Sequence, residues 1–283
     1  MALTFHTFKF LQKIQEEVKP MGNVLSIGRI NNLILKNEYK KLSINESNDI
    51  YADKILLENF KIDTIESLDY SDFEGANIIH DLNLPIKEIN KKFNTILDFG
   101  TSEHIFNIIQ NLMNISKLCE ISGNIIHSLP ANNNCGHGFW QFSPELFFNL
   151  YQKKNGFDET IIYLVNLHDK KNWYVINKQN VGDRLELNSS EPLYIFVKTK
   201  KIAEANFNNI HQSDYEFQWQ KENFSNNKQK SFLSLLNYKM KSNFKLFLRN
   251  NLISKNFFEK IENIKNHNKR NFTKNKNLKK IKI

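Results

Sequence analysis

The chain has 283 residues, 40% hydrophobic and 24% charged, a composition typical of a globular protein that buries a core. No apolar run approaches the roughly 20 residues that span a bilayer, and residues 1–20 show no leader pattern. Two cysteines, Cys119 and Cys135, are too few for a disulfide framework and fit a reducing compartment. We therefore expect a cytoplasmic protein without a membrane span.

The net charge of +9 is unevenly distributed along the chain. Residues 221–283 hold 17 Lys and Arg against three Glu and carry +14, whereas the preceding 220 residues carry −5. A basic segment of this kind either solubilises the chain or binds nucleic acid, anionic lipid or an acidic partner. The basic character therefore belongs to the C-terminal segment and not to the main body.

Short apolar runs separated by longer mixed segments predict parallel strands with helical crossovers. In chain order, the five runs are Asn23–Gly28, Thr64–Leu68, Asn77–His80, Phe93–Phe99 and Asn124–Leu129. Apolar residues at helical spacing predict a helix over Ser102–Leu118, and Thr160–Leu167 with Leu193–Thr199 predicts an antiparallel pair. The pattern predicts an α/β fold, a Rossmann-like seven-stranded, mostly parallel sheet with an antiparallel terminal hairpin and helices on both faces.

Two further features set the expected organisation. Ser143 followed by Pro144 predicts the start of a helix that runs to about Lys153, and the aromatic residues before it either stack on a substrate or join the core. Beyond residue 205 the pattern changes, so we expect a domain over 1–205 and a basic, partly helical extension over 206–283. Within that extension, Phe232–Phe247 predicts a helix, and the last fifteen or so residues predict a flexible end.

Polar or glycine residues close most of the predicted parallel strands. They include Gly28, Arg29, Asp69, Asp81, Asp98 and Gly100. In open parallel sheets, ligands bind in the crevice outside the carboxyl ends of the strands. Asp and Gly also end strands simply because they favour turns, but their recurrence in this order indicates a ligand site at that edge.

Three longer stretches carry a resemblance to a known family. They are Ser67–Asn83 (SLDYSDFEGANIIHDLN), Asp98–Asn107 (DFGTSEHIFN) and Pro130–Phe147 (PANNNCGHGFWQFSPELF). In this order they resemble the class I S-adenosylmethionine-dependent methyltransferases, and most closely a bacterial subgroup often encoded among glycan-biosynthesis genes. The resemblance covers roughly residues 20–200.

The resemblance implies that the chain binds S-adenosylmethionine. The glycine at Gly28 lets the backbone approach the methionine part of the cofactor. Asp69 matches the acidic residue that binds both ribose hydroxyls, a role suited to the two oxygens of a carboxylate. The loop at Asp81 matches the adenine-contacting loop, and Asp98 with Gly100 matches the motif of the fourth strand, so the resemblance implies that these residues also contact the cofactor.

The loop after the first predicted strand departs from the family pattern. Gly28 is followed by Arg29, Ile30 and two asparagines instead of further glycines. Such a loop either narrows the cofactor pocket or uses the Arg29 guanidinium to pair with the carboxylate of the cofactor.

Three residues are the catalytic candidates. Methyl transfer to oxygen needs a base, and Glu103 and His104 follow the fourth predicted strand at the open edge. His137 lies between two glycines in the Asn132–Trp140 loop, and histidine titrates near neutrality. Alternatively, His104 packs the helix that it opens and His137 is held by neighbouring asparagines.

No metal centre is expected from the sequence. Cys135 and His137, with His104 or Asp98, offer thiolate, imidazole and carboxylate ligands. No second Cys or His pair occurs at the spacing of a metal finger. We therefore expect S-adenosylmethionine as the cofactor and no metal.

The function that the resemblance implies is O- or N-methylation of a small-molecule or glycan acceptor. One alternative is a noncatalytic binding protein on the same fold, which the glycine-poor loop favours. The other is a nucleic-acid methyltransferase that uses the basic segment. Against it, the main body is acidic, and Asp98–Thr101 stands where an Asn/Asp-Pro-Pro-aromatic segment would be. The sequence carries no signal for the oligomeric state.

Overall fold

The structure is a computed structural model that describes residues 1–18, 20–87, 89–177, 185, 187–225, 239–240, 243, 275 and 277–283. The chain divides into two compact units: residues 1–177, 190–210 and 279–283 form the first, and residues 178–189 and 211–278 form the second. The predicted helix Phe232–Phe247 lies outside the described residues, apart from residues 239, 240 and 243. Among the described helices, none has the length and apolarity needed to cross a membrane.

Eleven strands and six α-helices are described. In chain order they are β1 (Ala2–Leu3), α1 (Phe5–Gln15), β2 (Gly22–Ile27), β3 (Asn31–Asn32), α2 (Lys36–Leu42), α3 (Asp53–Asn59), β4 (Ile62–Asp69), β5 (Ile78–Ile79), β6 (Phe93–Asp98), α4 (Ile108–Leu118), β7 (Cys119–Asn132), α5 (Pro144–Leu150), β8 (Phe157–Asn166), β9 (Asn172–Ile176), β10 (Leu193–Lys201), α6 (Ser213–Ser225) and β11 (Leu278–Lys282). Two 3-10 turns cover Ser102–His104 and Lys153–Asn155.

The main sheet has the doubly wound, Rossmann-like arrangement that the sequence predicts. Its parallel part has the spatial order β5-β4-β2-β6-β7. The chain moves outward from β2 to β5 and then returns to β6 on the other side of β2. The strand order therefore reverses between β2 and β6, the position at which such sheets bind ligands.

An antiparallel part extends the sheet beyond β7. β10 pairs antiparallel with both β7 and β8, which confirms the predicted pair, and β9 pairs antiparallel with β8. β11 lies beside β9 at the edge, so the sheet has nine strands where seven were expected. The expectation of a flexible end is therefore wrong for residues 278–282. Ile281 and Ile283 are partly buried against the core, the alternation of an edge strand.

Helices cover both faces of the sheet. On β7, Ile126 belongs to the core cluster beneath α1, whereas the next residue, His127, packs on Phe147 and Tyr151 at α5. Successive side chains of a strand point to opposite faces, so α1 and α5 lie on opposite sides. α1 was not predicted; Thr4 caps it and Phe8, Phe10 and other apolar residues bury its inner face.

The predicted helix over Ser102–Leu118 is shorter in the structure. Ser102–His104 forms a 3-10 turn, and α4 begins only at Ile108, after Asn107. The Asn107 side chain accepts a hydrogen bond from the backbone N–H of Gln110 and so caps α4. α5 begins at Pro144 as predicted, with Ser143 Oγ accepting from Glu145 N–H at 3.2 Å, but it ends at Leu150 instead of Lys153.

Candidate active site at the sheet switch point

The turn after β2 is fixed against the end of β4. Gly28 has φ +79°, and its N–H donates a 2.6 Å hydrogen bond to the carbonyl of Leu68. Ser26 Oγ donates to the Gly28 carbonyl at 2.8 Å. A Cβ at Gly28 would lie 2.8 Å from Thr101 Oγ1, so this turn needs glycine for both its backbone angle and its space.

Asp69 is therefore held next to the Gly28 turn. It is the last residue of β4 and follows Leu68, whose carbonyl receives the Gly28 hydrogen bond. Its Oδ1 accepts the Tyr70 N–H at 2.6 Å, and the side chain is partly exposed. The carboxylate is thus positioned and accessible at the switch point, where the sequence places it.

The turn after β6 joins the same edge. Thr101 Oγ1 donates a 2.6 Å hydrogen bond to the carbonyl of Ile27, which links the turn after β6 to the end of β2. Gly100 has φ +104°, a conformation that favours glycine. Gly28, Asp69 and Gly100 thus lie at one mouth formed by neighbouring strand ends.

The Asp98 side chain lies in the interior and not at the surface of this mouth. Its side chain is completely buried and accepts hydrogen bonds from the Ser102 hydroxyl at 2.5 Å and from His127 Nδ1 at 2.7 Å. The other ring nitrogen of His127 is 2.7 Å from the hydroxyl of Tyr151. Burial raises the pKa of Tyr151 well above its ordinary value, so that hydroxyl stays protonated. The expectation that Asp98 contacts the cofactor is corrected, because its oxygens hold the interior together.

Arg29 also differs from its expected role. Its guanidinium forms a 2.8 Å ion pair with Asp53 and lies 4.2 Å above the centre of the Tyr51 ring. These contacts direct the side chain towards α3, and it is already paired. Arg29 therefore fixes the loop after Gly28 instead of presenting a free cation to a ligand carboxylate.

The loop that contains Asp81 is joined to the start of α4. Asp81 Oδ1 accepts the backbone N–H of Asn83 at 2.9 Å and so forms a local turn. Asn83 Oδ1 in turn accepts the N–H of Asn107 at 2.9 Å. Asp81 shapes this loop, and its cofactor contact stays a prediction.

The three catalytic candidates are brought together. His137 Nε2 lies 3.5 Å from Glu103 Oε1, and the rings of His104 and His137 are 5.3 Å apart. Burial and the charge of nearby Asp98 raise the pKa of Glu103 to about 8. Burial, and then His137, lower the pKa of His104. At neutral pH the Glu103 carboxyl is therefore mostly protonated, and His104 is neutral and able to accept a proton.

The loop after β7 is docked on the Glu103 turn. Phe139 N–H donates to the Glu103 carbonyl at 2.7 Å, and Trp140 Nε1 donates to the Ile105 carbonyl at 2.9 Å. Gly138 has φ +75°, and a Cβ there would lie 2.6 Å from the Glu103 carbonyl oxygen. Phe139 packs edge-on against Phe106, and both rings are largely exposed. These exposed aromatics form a rim beside the candidate residues.

Sequence reasoning missed the first residues of the chain. β1 pairs with β3, and the Met1 carbonyl accepts the Asn31 N–H at 3.1 Å. The Met1 sulfur lies 3.3 Å from the position of a Cβ on Gly28, and its α-amino group acts electrostatically on Glu103 and His104. No sequence pattern indicates this, because the pairing is only two residues long.

Comparisons with known proteins give similarities only among solved structures. No protein-family model matches the sequence, and no curated protein matches it significantly. N-methyltransferase NodS from Bradyrhizobium japonicum WM9, solved with S-adenosyl-L-homocysteine, is 9% identical over 70% of this chain and 87% of its own, with a TM-score of 0.39. A SAM-dependent methyltransferase from Archaeoglobus fulgidus is 14% identical over 69% and 93%, with a TM-score of 0.39. The [4+2]-cyclase SpnF is 10% identical over 69% and 80%, with a TM-score of 0.40. At such identities and TM-scores, function has to be argued from the site.

Proposed function

We propose that the protein is a methyltransferase that binds S-adenosylmethionine at the mouth between β2 and β6. The observation that carries the proposal is the hydrogen bond from Gly28 N–H to the Leu68 carbonyl. It places a glycine turn and the Asp69 carboxylate side by side at the switch point of a doubly wound sheet. The family resemblance of the stretches around these residues supports the same cofactor.

The residues at this mouth fit the cofactor once the Met1 side chain is displaced. Asp69 presents a partly exposed carboxylate for ribose hydroxyls, and the backbone at Gly28 has no side chain to block an approach. The Met1 side chain covers that approach, but its contacts there come from Sδ and Cε, the far end of an unbranched and flexible chain. Rotation of the Met1 side chain would clear the Gly28 turn, whereas the Met1 backbone stays beside Gly100, with its Cα 3.9 Å from the position of a Cβ there.

The acceptor would enter beside the Glu103, His104 and His137 cluster. Methyl transfer requires the acceptor to be held in line with the methyl group, and an oxygen acceptor must also lose a proton. His104 is the better base, because its lowered pKa keeps it neutral while Glu103 is mostly protonated. The exposed Phe106 and Phe139 rings suit the apolar face of a small molecule or a sugar.

Calorimetric titration with S-adenosylhomocysteine tests the proposal. We expect the intact protein to bind it, and Asp69→Ala to weaken binding by about tenfold or more, since two hydrogen bonds to a carboxylate are lost. Asp63→Ala is the matched control, because Asp63 is exposed near the opposite end of the same strand. The proposal fails if the folded protein binds neither S-adenosylmethionine nor S-adenosylhomocysteine. That outcome would favour a noncatalytic protein on this fold.

A further inference from the structure

Three potential metal ligands meet at the candidate active site. Ligand atoms of Glu103, His104 and His137 all lie within 4.8 Å of one another, and we call these residues the Glu-His-His cluster. Ligands around a tetrahedral ion lie roughly 3.4 Å apart when each bond is about 2.1 Å long. His104 is exposed and the side chain of His137 is half exposed, so small rotations of their rings would close the remaining gap.

A second observation at the same carboxylate points to a bound cation. Glu103 is only 1% exposed, and its Oε2 atom is buried without a hydrogen-bond partner among the described residues. A buried polar atom without a partner costs about 1–3 kcal/mol, more if charged. Oε1 of the same carboxylate faces His137. The orphaned oxygen belongs to the same carboxylate that faces His137, so a cation bound by this carboxylate would also reach the two imidazoles.

The backbone that carries the cluster is held by surrounding structure. Glu103 and His104 lie on the 3-10 turn that Ser102 anchors to Asp98, and Asn111 Nδ2 donates to Ser102 Oγ at 2.7 Å. His137 is held opposite by the contacts of Gly138 and Phe139 with the Glu103 carbonyl. These contacts fix the backbone on both sides of the three candidate ligands.

We propose that the Glu-His-His cluster binds a divalent transition-metal ion such as Zn²⁺. Two imidazoles and one carboxylate suit zinc and its transition-metal neighbours, whereas Mg²⁺ prefers oxygen ligands. Three protein ligands leave a coordination position open, as in catalytic zinc sites. Cys135 is exposed and does not belong to the cluster, although it lies only two residues before His137.

The ion would also restrict the chemical class of the methyl acceptor. This consequence rests on the proposed methyl transfer. An open position beside the mouth suits an acceptor that offers an oxygen ligand, such as a hydroxyl group. A bound cation lowers the pKa of a coordinated hydroxyl, so the acceptor would release its proton to water, and His104, the base when no ion is bound, would serve as a ligand.

Titration of the full chain with ZnCl2, after chelator treatment and its removal, tests the site. We expect one zinc ion per chain at micromolar affinity or tighter, and about tenfold or greater weakening in His137→Ala and Glu103→Gln. His168→Ala is the matched control, since His168 is an exposed histidine paired with Glu191 at 3.2 Å but not part of a three-ligand group. We expect the His168 and Cys135→Ser variants to bind zinc like the parent.

The outcomes separate the metal site from the proposed cofactor. Absence of zinc binding, or binding that His137→Ala leaves unchanged, would overturn the metal site even if S-adenosylhomocysteine binds. Zinc binding without S-adenosylhomocysteine binding would retain the site and contradict only methyl transfer. Because Glu103→Gln alters a buried position, a zinc-dependent rise in melting temperature, lost in the half-exposed His137→Ala variant, gives a second readout. An equal rise in both proteins would overturn the site.

Discussion

At the scale of single residues, similar sequence signals have different structural roles. Asp69 and Asp98 both end parallel strands, yet Asp69 is partly exposed at the mouth, whereas Asp98 is buried among hydrogen-bond donors. His127, which decides the role of Asp98, lies 29 residues away in sequence. The role of Arg29 is likewise set by its ion pair with Asp53, which lies on α3. Strand-end patterns could therefore predict where these residues lie, but not which way their side chains point.

Substitution of these two carboxylates should distinguish a role in stability from a role in ligand binding. Asp98→Ala should lower the free energy of unfolding by about 3–5 kcal/mol, because it leaves buried partners unpaired. Asp69→Ala should change it by about 1 kcal/mol or less, since the side chain is partly exposed. Urea unfolding of both variants measures the difference. Equal losses would contradict the assignment of Asp98 to the interior and Asp69 to the mouth.

His6 makes folding depend on pH. Trp173 Nε1 donates to His6 Nδ1 at 3.0 Å, so the ring must be neutral, with Nε2 donating to the Leu167 carbonyl at 3.0 Å. Burial accordingly lowers the pKa of His6. Since the folded-state pKa lies below the unfolded value of about 6.5, this stability is present above about pH 6.5 and is lost as the pH falls through the folded-state pKa.

Comparison with a non-titrating variant tests the role of His6. Between pH 7.5 and pH 5.5, urea unfolding should show a larger loss of stability in the parent than in His6→Gln, by on the order of 1 kcal/mol. His6→Gln should itself be less stable than the parent at pH 7.5, because the change removes the ring that packs against Phe5 and Trp173. The same change with pH in both proteins would show that His6 is not responsible.

At the scale of elements, the spacing of apolar residues predicted the strands and helices that depend mainly on local sequence. The five parallel strands and the antiparallel β8 and β10 follow the apolar runs. The start of α4 was misplaced because apolar spacing continues through Ile105, while the Asn107 cap sets the boundary. α1 and β11 were missed, because α1 is interspersed with Lys and Gln and β11 is a short edge strand among lysines.

The loop after β7 offers a prediction at this scale. Gly136 and Gly138 both have positive φ, but only a Cβ at Gly138 would meet the Glu103 backbone. Gly136→Ala should cost about 1–2 kcal/mol from its backbone angle alone. Gly138→Ala should cost more and should separate His137 from Glu103, so zinc affinity should fall further than in Gly136→Ala. If the two variants behave alike in both assays, the loop does not dock as the structure shows.

At the scale of the whole molecule, the sheet determines where chemistry can occur. The doubly wound order could be predicted because parallel strands need crossovers and connect in few ways. The sequence division at residue 205 differs from the two compact units, since residues 178–189 belong to the second and residues 279–283 to the first. Contacts between distant segments set those boundaries, and composition alone does not report them. The basic segment falls largely outside the described residues, so its role stays a prediction.

The most direct test of the central claim is a crystal structure grown with saturating S-adenosylhomocysteine. We predict that the ribose hydroxyls lie within hydrogen-bond distance of the Asp69 carboxylate, with the amino-acid part of the ligand over Gly28. The Met1 side chain should be rotated away from the Gly28 turn, and the strands β2, β4 and β6 should keep their positions. Ligand density elsewhere on the molecule, or an empty mouth at saturating ligand, would contradict the placement of the cofactor site at the switch point.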